Sequence, residues 1–122
     1  QHFGAYQGNG SATGPMVWTG FKPAMVIIKR TTSGSTNDFV LFDNKRDLVD
    51  PCHHRLIPDT NGAENDTSST SVNRIDFLST GFKIWNSGDA WNNSGSDYIY
   101  MAWAANPFAS LYGVSSTTRD GA

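Results

Sequence analysis

A chain of 122 residues is one domain's worth of protein. It is long enough for a single core that buries about two-thirds of the surface its unfolded form would expose. Only 16% of its residues are charged, the net charge is −2, and the nine Lys and Arg are scattered apart from the doublets Lys29-Arg30 and Lys45-Arg46; this excludes a phosphate-neutralising nucleic-acid binder, and no apolar run approaches the roughly 18 residues of a membrane span.

Residues 3–7 alternate weakly and run into Gly8-Asn9-Gly10-Ser11-Ala12-Thr13-Gly14-Pro15, a turn-rich loop. Met16-Val17-Trp18 predicts a short strand, and Thr19-Gly20-Phe21-Lys22-Pro23 a corner at which Pro23 cannot donate to a ladder. Residues 24–30 are apolar on both faces for most of their length, the pattern of a central strand covered on both sides. Residues 39–42 share it and should pair antiparallel with 24–30 across a polar loop. Residues 43–51 are charged and irregular, 55–57 form a short strand, and 60–73 are the longest polar stretch. Residues 75–78 and 82–85 predict a hairpin with Ile75, Phe77, Phe82 and Ile84 inward and Arg74, Asp76 and Lys83 outward. Residues 86–96 form a second polar loop interrupted by Trp91, and 98–104 the last strong strand, ended by Asn106-Pro107.

Ten Asp against one Glu, few Lys, and over a third of the chain in Gly, Ser, Thr and Asn leave little material for helix surfaces. The expected fold is therefore all-β: an antiparallel two-sheet β-sandwich or jelly roll of seven or eight strands. The domain is expected over residues 1–108, with 109–122 a polar tail or linker. Met25 to Ile28, Phe39 to Phe42 and Ile99 to Trp103 are expected to be mostly buried. The lone cysteine, Cys52, allows no intrachain disulfide, which suits folding in a reducing compartment or stabilisation by assembly. The start at Gln1, without Met, suggests a processed start or a segment of a longer protein.

Cys52-His53-His54 has the residue types of a zinc site, but consecutive residues on extended backbone converge poorly on one ion, and the only other His is His2. Asp43, Asn44, Asp47 and Asp50 place oxygen ligands on one loop, and Asp89 and Asp97 lie on or beside another. Calcium would suit such ligands, yet the EF-hand spacing and its terminal Glu are missing, so solvated turn residues are the expectation and no cofactor is assigned. No catalytic residue is assigned either. Asp76 lies beside Arg74, the one Glu sits in a polar loop, there is no nucleophile elbow, and the Gly-rich loop at 8–14 lacks the Lys and the helix of a phosphate loop. The aromatic residues carry more signal. Trp91, with Asp89, Asn92 and Asn93 around it, has the composition of a sugar platform, with ring stacking and amide hydrogen bonds; Trp18 borders a turn and joins this set. The competing expectation is that Trp91 folds back as a lid on one end of the sandwich. Trp85 and Trp103 are expected to pack in the core or at a subunit contact.

An ordered series of short motifs runs through residues 3–108. It comprises Phe3 through Gln7-Gly8-Asn9-Gly10, Thr19-Gly20-Phe21-Lys22-Pro23-Ala24-Met25-Val26-Ile27-Ile28-Lys29-Arg30, Phe42-Asp43-Asn44-Lys45-Arg46-Asp47, Ile75-Asp76-Phe77-Leu78-Ser79-Thr80-Gly81-Phe82-Lys83, and Asn93-Ser94-Gly95 to Tyr98-Ile99-Tyr100-Met101-Ala102-Trp103-Ala104. This series resembles a β-rich domain recurrent in the tail fibres and appendages of tailed phages. The resemblance implies a concanavalin- or SPRY-like sandwich with a non-enzymatic place in the virion, assembled in the host cytoplasm. Its expected partners are other virion proteins, further copies of itself (a trimer above other oligomers) and a host-surface glycan met by its loops. A capsid or tail decoration domain that binds only virion proteins is the alternative, and a polysaccharide depolymerase a more distant one.

Overall fold

The structure is a computed structural model that describes residues 1–34, 37–67, 74–88 and 90–106. Nine strands are described: β1 (His2–Gln7), β2 (Met16–Trp18), β3 (Pro23–Arg30), β4 (Phe39–Asp43), β5 (His54–Arg55), β6 (Asn65–Asp66), β7 (Arg74–Leu78), β8 (Gly81–Trp85) and β9 (Asp97–Ala104). All pairings are antiparallel. Four strands form one sheet in the order β1-β9-β3-β4, three form a second in the order β2-β8-β7, and β5-β6 is a small hairpin. The all-β sandwich expected from composition is the fold observed, and the described residues contain no helix.

Alternation decides what each sheet puts inside. From the four-stranded sheet Val26, Ile28, Val40, Phe42, Tyr98, Tyr100 and Ala102 point inward and are buried. From the three-stranded sheet Val17, Ile75, Phe77, Phe82 and Ile84 meet them. The layers touch through aromatic edges: the rings of Phe82 and Tyr100 lie 5.2 Å apart at 81°. The hairpin β7-β8 has the predicted inward set, and Ile75 pairs with Ile84 and Phe77 with Phe82. Residues 52–56 close one side of the sandwich. Cys52 pairs with Ile75 at the edge of one sheet, and Leu56 pairs with Leu41 at the edge of the other.

Four expectations need correction. The stretches 24–30 and 39–42 are not covered on both faces by this chain. Val26, Ile28, Val40 and Phe42 are inside, but Met25, Ile27, Phe39 and Leu41 are only half-buried, because a two-layer sandwich packs just one face of each sheet. Ile99, expected to be buried, is 49% exposed for the same reason. The polar stretch 60–73 is not loop throughout, since Asn65 and Asp66 pair with Arg55 and His54. Pro23, placed at a corner, instead opens β3 opposite Ala104, a first-residue position where its missing N–H is tolerated, and the register shifts between Pro23 and Met25. The expected tail at 109–122 lies outside the described residues, as does Asp89.

Candidate functional site

The loop selected for sugar stacking turns inward. Trp91 is 1% exposed, stacked on Phe42 at 4.6 Å and 10°, with the Arg55 guanidinium 5.1 Å from its ring centre. Its carbonyl accepts the Tyr6 hydroxyl at 2.6 Å. No ring face is left for a ligand, so Trp91 is the end cap that the competing expectation described.

Asn92 is likewise buried, and its amide is fully engaged. The Oδ1 accepts the Asn9 N–H at 2.8 Å, and the Nδ2 donates to Asn9 Oδ1 and Ser11 O at 2.9 Å each and to Asn86 O. Asn93 donates its N–H to the Tyr98 hydroxyl at 2.8 Å and its amide to Ser96 Oγ at 3.2 Å. The two Gly- and Asn-rich loops therefore clasp each other. A Cβ on Gly8 would stand 2.2 Å from Asn93 O, and Gly10, at φ +66°, donates to Asn92 O at 3.0 Å.

The acidic loop holds itself together in the same way. Asp43 accepts the N–H groups of Lys45 and Arg46 at 2.8 and 3.0 Å and pairs with the Arg46 guanidinium at 2.8 Å. Desolvation works against ionisation there, but those N–H groups and that cation hold the carboxyl below its ordinary range. Asp47 accepts the N–H groups of His53 and His54, each at 2.8 Å, and meets His54 Nδ1 at 2.7 Å. This hydrogen bond raises the His54 pKa, with the charges of Asp47, Asp66 and Glu64 adding to it and desolvation opposing it. Asp50 accepts the Phe77 N–H at 3.0 Å. Burial, with Asp50 and Asp47 nearby, pushes the Cys52 thiol up to about 12, so it is a protonated core side chain and a poor zinc ligand as it stands. Among the described residues no three His, Cys, Asp or Glu converge as a metal site.

What remains outward is aromatic and aliphatic. Trp18, the one member of the predicted set with an open ring, is 65% exposed on the outer face of the three-stranded sheet, beside the 44%-exposed Met16 on β2. Trp85 lies on that same outer face, with its Nε1 donating to Asp76 at 2.8 Å and Lys83 and Arg74 lying 4.9 and 5.4 Å from its ring. The larger feature is the outer face of the four-stranded sheet. Register places Lys29, Ile99 and Ala5 in one row, Leu41, Ile27, Met101 and Phe3 in the next, and Met25 and Trp103 in a third. Phe3 is 59% exposed. A cleft of about 250 Å³ opens on this face, lined by Phe3, Ile27, Lys29, Phe39, Ile99 and Met101. Lys29 lies along the face, its Nζ 5.1 Å from the centre of the Phe39 ring, so its stem adds to the apolar surface.

A family model described as "Domain of unknown function (DUF7483)" matches residues 1–107. The chain belongs to that family. No curated protein and no solved structure matches it. In this DUF7483 domain the titratable loop groups that sequence reasoning singled out hold turns in place, while the outer sheet face offers apolar area. Sequence reasoning singled out the apolar residues of that face but expected this chain to bury them. It missed Phe3 as an exposed anchor, because the weak alternation of residues 3–7 does not say which side has a neighbour.

Proposed function

We propose that this chain is a structural, non-catalytic domain of a phage tail fibre or virion appendage that works by docking on neighbouring virion proteins. The observation that carries this reading is the outer face of the four-stranded sheet. A contiguous row of Phe3, Met101, Ile27 and Leu41, flanked by Ile99, Phe39, Met25 and Trp103, faces away from the domain's own core. Antiparallel sheets of monomers ordinarily turn a polar face to water, and contiguous apolar patches of this kind mark interaction surfaces. The motif series that resembles phage appendage domains supplies the setting, and an unpaired, buried Cys52 suits assembly in a reducing cytoplasm.

The test is whether the chain travels with particles. Peptides covering it should appear by mass spectrometry in density-gradient-purified virions from cells that carry its gene. An Ile99→Lys substitution should lower that incorporation while leaving the free domain folded. A chain found only in the soluble fraction, or incorporation unaffected by Ile99→Lys, would count against the reading.

A second reading, contact with a host-surface glycan, is favoured by one observation: the open ring of Trp18 on the opposite face of the sandwich. Such sites are weak singly and gain from repetition. A glycan array probed with particles or with the oligomerised domain should then show binding that Trp18→Ala removes and Trp91→Phe does not.

A further inference from the structure

The docking face does not by itself say what covers it. We infer that its occupant is a second copy of this chain, stacked sheet against sheet about a two-fold axis; this rests on the docking reading above. Two features of the face support it, and a third sets how strong the pairing can be.

The first is shape. A two-fold contact uses one surface twice, so that surface must hold both a projection and a recess. Phe3 projects at 59% exposure, and the cleft of about 250 Å³ opens beside it. Ala5, two residues along the same strand and on the same face, leaves room next to Phe3 for an opposing ring.

The second is charge. Among the described residues the three rows carry two charged side chains: Lys29, whose ammonium is drawn aside over Phe39, and Asp43, opposite Met25 at the edge of the third row. The acidic groups stand at the margins: Asp97 opposite Gln7 at one end, and Asp43, already paired with Arg46, at the other. Two copies can face each other without setting like charges together at the centre.

The third is area. Four strands about 4.8 Å apart span ~19 Å, and three rows of side chains about 7 Å apart span ~20 Å, giving a footprint of roughly 400 Å² per copy. Two such footprints total about 800 Å², below the roughly 1,200–2,000 Å² of stable complexes. The paired state is therefore weak and concentration-dependent, and it becomes durable where a particle holds many copies close together. A two-fold stack differs from the trimer that the phage resemblance favours, because facing sheets pair copies rather than ring them.

Sedimentation equilibrium on the full chain, from ~10 µM to ~1 mM, tests this in the range where an interface of such size associates. The weight-average mass should climb from 13.3 kDa toward twice that value. Phe3→Asp and Ile99→Lys should each hold it at the single-chain mass with an unchanged far-ultraviolet circular dichroism spectrum, while Trp18→Ser on the opposite face should behave as wild type. A wild-type chain that stays single throughout, a rise toward three chains, or Phe3→Asp and Ile99→Lys variants that pair as wild type does would overturn the inference. If the wild type stays single while Ile99→Lys still lowers incorporation into particles, the neighbour is a different protein and only the self-pairing falls. If incorporation is also unaffected, the docking reading falls with it.

Discussion

Replacing Trp91 with alanine separates a ligand platform from a structural plug. The ring is 1% exposed, stacked on Phe42 at 4.6 Å and flanked by Arg55. Full burial of a Trp removes up to ~250 Å² from water, or about 6 kcal/mol at ~25 cal/mol per Å². The compactness of real unfolded chains trims that by roughly 10–40%. The result, about 4–6 kcal/mol, overlaps the ~3–5 kcal/mol seen when buried Trp or Phe is cut to Ala. A domain of this size holds only about 5–15 kcal/mol in all, so Trp91→Ala should lose much of its cooperative unfolding transition in urea. Trp18→Ala, at an open position, should stay within ~0.5 kcal/mol of wild type. A Trp91→Ala loss below ~1 kcal/mol would refute the assignment of this ring to the core.

Three further outcomes follow from the same geometry. Asn92→Ala removes the buried amide that bridges both loops and leaves the Asn9 N–H and the Ser11 carbonyl without their partner; it should cost ~2 kcal/mol or more, and a neutral result in urea unfolding would contradict the clasp. Asp47 raises the folded pKa of His54 above its unfolded value of about 6.5, so the linked stability is full below that pH and fades as pH rises through the folded value; His54→Gln should therefore lose more against wild type near pH ~5 than near pH ~9, and parallel pH profiles would show that the contact carries no linkage. Cys52, buried and pushed up to about 12, should resist iodoacetamide at pH ~8 in the folded chain and react once urea unfolds it; rapid labelling of the native protein would show the thiol to be open.

Strand existence was legible because period-2 patterning carries it directly. Ile75, Phe77, Phe82 and Ile84 could be turned inward from the sequence, since charged residues alternate with them. For residues 24–30 and 39–42, with both faces apolar, the same reasoning failed: the pattern states that both faces avoid water, not whether this chain or a neighbour covers the second. The site was harder still. Trp91 among Gly, Asn and Asp has the composition of a recognition loop, and that composition also serves a loop clasp, where Gly8 permits close approach and Asn92 satisfies backbone groups. Only the contact of residues 8–14 with 86–96 distinguishes the two, and nothing local in either segment announces it. The β5-β6 pairing escaped notice because two polar residues per strand carry no alternation.

Hydroxyl-radical footprinting read by mass spectrometry tests the central claim most directly, because it reports on side chains rather than amides. Phe3, Ile99 and Met101 should be oxidised in the dilute isolated chain and protected in assembled particles, while Met16 and Trp18 on the opposite face serve as the internal reference. Equal oxidation of Phe3, Ile99 and Met101 in both states would show that the apolar sheet face stays open to water, and that docking through it does not occur.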